Sequence, residues 1–141
     1  MRQTIASWEG QARSLLRIIA AFMISLHGYR EVFGWFPVLG GRRGVGGMAL
    51  DSLPAPFGVL AIAGGLLLFP GLFTRPVASV LCAQLAVAYF YAAAPRSPWP
   101  IRNGGEEVVI YFFVFLYLAL TGGGPWSLDP LLRKKEVVAP A

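Results

Sequence analysis

Apolar positions along this chain gather into four long runs instead of alternating with polar ones. The first, about residues 15–33, has its apolar centre at Leu15, Leu16, Ile18 to Ile24 and Leu26. The second, about 57–73, is rich in Gly, Leu and Ala. The third, 77–94, has 18 residues without a charge, bracketed by Pro76 and Pro95. The fourth, 106–121, carries the 13-residue apolar run Val108 to Leu120. A membrane-crossing helix takes ~20 apolar residues, with a range of ~17–25. The second and fourth runs reach that only with their polar flanks or in a thin bilayer. Buried helices of a soluble protein can be as short, but four of them in 141 residues leave no polar face to cover the rest. The pattern predicts an all-α integral membrane four-helix bundle, one domain over 1–141, with both termini on the same side. Residues 1–17 are too polar for the apolar core of a signal peptide, and no small-x-small cleavage pattern follows the first run. That run is therefore expected to be a retained helix.

Composition strengthens this reading. Charged residues make up 13% of the chain, against ~25% in soluble domains, and mean hydropathy is +0.61. So few charges cannot coat a water-facing surface, which argues against a soluble globule and against a disordered chain. The net charge of +5 does not point to nucleic acid, because no basic run is interleaved with aromatics. The basic residues instead flank the apolar runs. Arg2, Arg13, Arg17, Arg75, Arg133, Lys134 and Lys135 fall on the side of the termini. Arg30, Arg42, Arg43, Arg96 and Arg102 fall on the other. Seven against five favours both termini on the cytoplasmic side. The cluster Arg133-Lys134-Lys135 also suits anionic lipid heads. The single cysteine, Cys82, excludes an intrachain disulfide or a CxxC pair and reads as a small packing residue.

The loops differ in kind. Phe69 to Pro76 reads as a tight hairpin turn between the second and third runs. The Gly-rich stretch Gly40 to Gly47 lacks the preceding strand and following Lys-Ser or Lys-Thr of a phosphate cradle, so it reads as ordinary loop. Pro95 to Gly105, with three prolines and Trp99, reads as an interfacial segment. At the far end, Gly122 to Gly124 stop the fourth helix, Trp126 fits the interface, and Ser127 or Asp129 is expected to cap a short tail helix.

Polar residues concentrate where the first helix ends and the fourth begins, which topology places at one depth. His27, the only histidine, shares a helix face with Arg30 and Glu31 at i+3 and i+4. Glu106 and Glu107 arrive from the fourth helix, about 100° apart, so one can cap or face solvent while the other faces the bundle. A His–Glu contact there could relay protons near neutral pH. The plainer alternative is a histidine that bonds a backbone carbonyl and packs. Asn103 with Glu106 has the spacing of a capping box, so it too has a purely structural explanation. Tyr89 and Tyr91 end the third run at the same face, and the aromatics nearby either line a cleft for a quinone head group or face lipid. Gln84, mid-run, reads as an interhelical hydrogen bond. Metal ligands do not converge anywhere.

In order along the chain, "LHGYREVFGWF", "PAPFGVLAIAGGLLLFPGLFTRPVA", "VAYFYAAAP" and "NGGEEVVIYFFVFLYLALTGGGPWSLD" resemble the DoxX-like family of small four-helix membrane proteins, over roughly 11–130. The basic residue of the first stretch is an arginine, Arg30, where lysine is usual, and the first loop is longer. The resemblance places family motif positions on His27, Gly28, Arg30, Asn103, Gly104, Gly105, Glu106, Trp126 and Asp129. It implies an accessory or quinone-interacting membrane subunit of a redox system, since members are linked to thiosulfate:quinone oxidation and to complexes handling oxidative and thiol stress. On that expectation His27 and Glu106 exchange protons with a quinone, Arg30 neutralises charge, and Asn103, Glu107, Tyr89 and Tyr91 help bind. The quinone would be non-covalent. The partners would be the lipid membrane, redox proteins and a second copy of the chain. The alternatives are a non-enzymatic binding or transport-assisting module and a structural bundle, since the chain holds no complete catalytic constellation of its own.

Overall fold

A computed structural model describes residues 2–33 and 54–131. Among them all regular structure is helical. Helix α1 spans Arg2–Phe33 and α2 Pro54–Leu68. Helix α3, Thr74–Ala88, runs on into a π-helical turn, Tyr89–Ala93. A short α4, Pro100–Asn103, leads into α5, Glu106–Thr121. The Gly40–Gly47 stretch and the Arg133-Lys134-Lys135 cluster lie outside the described residues.

Helix α1 starts well before the apolar run that predicts it, because nothing in residues 2–14 breaks a helix beyond the single Gly10. Helix α2 stops at Leu68 because Pro70 and Gly71 follow, and Gly71 takes the left-handed φ of 77°. Thr74–Ala93 is the one stretch of helix among the described residues that is long and apolar enough to cross a membrane by length and composition. Helices α2 and α5, of 15 and 16 residues, reach only about 23–24 Å.

Helix α1 packs along α2, α3 packs along α5, and the α2–α3 hairpin joins the two pairs. The core is Ala20, Ala21 and Ile24 of α1, Ala61 and Leu68 of α2, Ala78, Leu81, Cys82 and Leu85 of α3, and Phe115 and Leu118 of α5. The α1–α2 contact is made by small residues. A Cβ on Gly28 would sit 2.5 Å from the Gly58 carbonyl oxygen, and one on Gly65 would sit 2.7 Å from that of Ala21. Backbones this close require small residues at the contact, as in the small-residue packing known for helices in lipid.

Several polar side chains are buried beside this apolar core, while many large apolar ones face outward. Ser14, Arg17, Ser25, Thr74, Gln84 and Asn103 are buried. Leu15, Ile19 and Phe22 of α1, Leu66 of α2, Val80 and Val87 of α3, and Ile110, Phe113 and Leu120 of α5 are exposed. Trp99 is exposed at one end of the helices and Trp126 at the other, where amphipathic rings suit a membrane–water interface.

Candidate functional site

The C-terminal end of α1 and the N-terminal end of α5 meet, and their ionisable side chains form one cluster. His27 Nε2 lies 3.1 Å from Glu31 Oε1, one turn on along α1. On the other side of the ring, Nδ1 lies 3.4 Å from Arg30 Nη2 and 3.8 Å from Glu107 Oε1 of α5. His27 and Glu31 are half-buried, and Glu107 is more open.

This geometry admits two states. In the neutral ring, Nε2–H donates to Glu31 and Nδ1 accepts from Arg30, since a guanidinium can only donate. In the imidazolium, Nδ1 also carries a proton and its attractive partner becomes Glu107. A proton can therefore enter or leave at Nδ1 while Glu31 holds the ring through Nε2. The α5 carboxylate beside His27 is Glu107. Glu106, one residue earlier and about 100° round the helix, is exposed.

A second polar network joins the π-turn, α4 and the start of α5. Asn103, buried, donates through Nδ2 to Ser97 O at 2.8 Å and to the Tyr89 hydroxyl at 3.4 Å. Its Oδ1 accepts from Gly105 N–H at 2.7 Å. The residue capping α5 is Gly105, with no side-chain cap, so the capping-box expectation for Asn103 with Glu106 is corrected. Asn103 bonds two residues ahead, an Asx turn that shapes the entry to α5. Gly105 is required there, because a Cβ would come within 2.8 Å of Asn103 Oδ1 and of the Tyr89 ring. Tyr89 also donates to Pro98 O at 3.4 Å. Tyr91 is exposed and makes no hydrogen bond among the described residues. Gln84 donates to Phe57 O at 2.8 Å, tying α3 to α2, while its carbonyl oxygen, also buried, has no partner among them.

The opposite end holds what sequence reasoning missed. Arg17 reads from the sequence as a topology-setting surface charge, but it is fully buried. Its guanidinium donates to four backbone carbonyls: Leu68 and Phe69 from the α2–α3 turn, and Gly123 and Trp126 from the segment after α5. Ser14 supplements it, bonding Gly10 O and accepting from Trp126 N–H at 3.2 Å. Asp129, expected to cap a tail helix, instead accepts from Thr74 N–H at 3.1 and 3.3 Å and so caps α3. The signal for Arg17 was its place inside Leu15-Leu16-Arg17-Ile18-Ile19, where an ionisable residue within an apolar run needs an internal partner. Among the described residues no group of His, Cys, Asp and Glu could hold a metal ion.

A family model described as DoxX matches residues 12–94. A protein of Haemophilus influenzae (strain ATCC 51907 / DSM 11121 / KW20 / Rd), described as uncharacterized, is 39% identical over 127 residues, covering 86% of this chain and 91% of its own length. No solved structure matches. The family match spans both the close α1–α2 contact and the α2–α3 hairpin, and this chain belongs to the DoxX family of membrane proteins.

Proposed function

We propose that this protein is a multi-pass inner-membrane subunit of a quinone-linked redox system, with α1, α2, α3 and α5 crossing as a four-helix bundle and both termini cytoplasmic. Support for multiple crossings comes from the apolar outward faces of all four helices, together with buried polar side chains that water would otherwise solvate. The functional reading rests on one observation: His27 stands between Glu31 and Glu107, with Arg30 on its Nδ1.

A quinone reduced to quinol takes up two electrons and two protons. The electrons come from a partner redox protein, since the chain has neither a cysteine pair nor the fingerprint of a flavin site. This chain's residues supply the proton path: His27 delivers a proton from Nδ1, Glu107 recharges it from the more open side, and Glu31 holds the ring. Arg30 offsets the negative charge that develops on a quinone oxygen. Tyr89 and Asn103 form a separate hydrogen-bonded network at the start of α5.

The experiment is binding of a short-chain ubiquinone analogue to the purified protein in micelles, followed by tryptophan quenching. Losing one hydrogen bond to a charged group costs ~1.5–3 kcal/mol, so His27→Gln should weaken binding by about tenfold or more. Glu106→Gln should leave it unchanged. Equal affinity in wild type and His27→Gln refutes the assignment.

A further inference from the structure

At the end of the helices opposite His27, a cleft of ≈ 820 Å³ opens between the start of α3 and the segment after α5, with Arg13, Phe73, Thr74, Arg75, Gly123 and Asp129 on its walls. Its charge balance is cationic. The Asp129 carboxylate is occupied by the Thr74 N–H and faces the charge of buried Arg17. The Arg75 side chain is exposed and has neither ion pair nor hydrogen bond among the described residues. Arg13 donates to Thr121 O at 2.9 Å and approaches Glu9 at 3.6 Å, yet its Nε–H, out of reach of solvent, has no acceptor.

The walls also hold donors without acceptors. The hydroxyl of Thr74, a fully buried residue, is unpartnered, whereas buried polar groups are ordinarily satisfied. The cleft thus carries unpartnered donors and, with Asp129 engaged elsewhere, a positive charge, which favours an anion. Its surroundings select an apolar one. Phe73, on its wall, is 58% exposed, and Leu66 near the end of α2 and Phe69 in the α2–α3 turn are exposed as well.

We infer that this cleft binds the phosphate group of an anionic phospholipid, with Arg75 and Arg13 as the recognising cations. The inference rests on the chain being a membrane protein and is independent of the quinone reading. The full-length protein is to be delipidated in detergent and offered equal phosphatidylglycerol and phosphatidylcholine, with retained lipid read by native mass spectrometry. Wild type should prefer phosphatidylglycerol, and Arg75→Gln should cut that preference about fivefold, the effect of one cation near an anionic lipid. Arg75→Lys should keep most of it. Neutralising Arg133, Lys134 and Lys135 together should leave the preference in place. The far-UV circular dichroism of Arg75→Gln should match wild type, because its side chain holds nothing within the described residues. An undiminished preference in Arg75→Gln overturns the inference, as does a preference that disappears with the tail charges instead. Displacement of phosphatidylglycerol by millimolar inorganic phosphate also overturns it, marking the cleft as a site for a soluble anion.

Discussion

Replacing Arg17 with Gln removes the one side chain among the described residues that ties α1 to both the α2–α3 turn and the segment after α5. Four carbonyls accept from it, those of Leu68, Phe69, Gly123 and Trp126. A glutamine amide is shorter and has two N–H donors against five, so at least two carbonyls lose their partner. A buried polar group left unsatisfied costs ~1–3 kcal/mol. Two of them, with partial relaxation, bring the loss to roughly 3–5 kcal/mol, in line with breaking a buried charged contact. At ~2–4 °C per kcal/mol, the unfolding midpoint should fall by roughly 10 °C. The assay is thermal unfolding of purified wild type and variant in one detergent, followed by circular dichroism at 222 nm. Arg17→Lys is the informative control. It keeps the charge, but a single ammonium cannot fork to four carbonyls on two segments, so its midpoint should lie between the other two. If Arg17→Gln unfolds within about 1 °C of wild type, carbonyl satisfaction by Arg17 does not hold this end together, and the roughly 10 °C estimate fails with it.

Three further outcomes test the packing and the turns. Gly28→Ala should destabilise by about 1–3 kcal/mol in the same assay, because its Cβ would lie 2.5 Å from the Gly58 carbonyl oxygen and 2.8 Å from Ile62; a neutral result would mean that α1 and α2 part at no cost. Asp129→Asn keeps an acceptor for Thr74 N–H while removing the carboxylate beside Arg17, and should cost about 1 kcal/mol; Asp129→Ala should cost more. Asn103→Ala should loosen the entry to α5 by about 1–2 kcal/mol, visible as faster amide hydrogen exchange at Gly105, and unaltered exchange there would dismiss the Asx turn.

The helical class was legible in the apolar runs, and the start of α5 coincides with the predicted boundary at Glu106. The end of α5 at Thr121 matches too, but two other limits do not follow the apolar pattern: Pro70 and Gly71 stop α2 at Leu68, short of the predicted 73, and α1 extends N-terminally through a polar stretch whose propensity is adequate. The neighbourhood of His27 with Glu31 followed from i,i+4 spacing on one helix. Which of Glu106 and Glu107 reaches it could not be read from the sequence, since that depends on how α5 is rotated about its axis against α1. That rotation is set by Phe115 and Leu118 facing the core. Arg17 escaped notice for a related reason. Its four acceptors are main-chain carbonyls, which carry no sequence signal, and two of them lie more than 100 residues away.

Because His27 is the only histidine, the protein labelled with ¹⁵N-histidine and purified on a histidine-free tag gives a nitrogen spectrum of the proposed proton-exchange site alone. On this account the neutral ring carries its proton on Nε2, held by Glu31, and saturating short-chain ubiquinone shifts the Nδ1 resonance. An Nδ1 resonance that is the same with and without quinone would contradict the account.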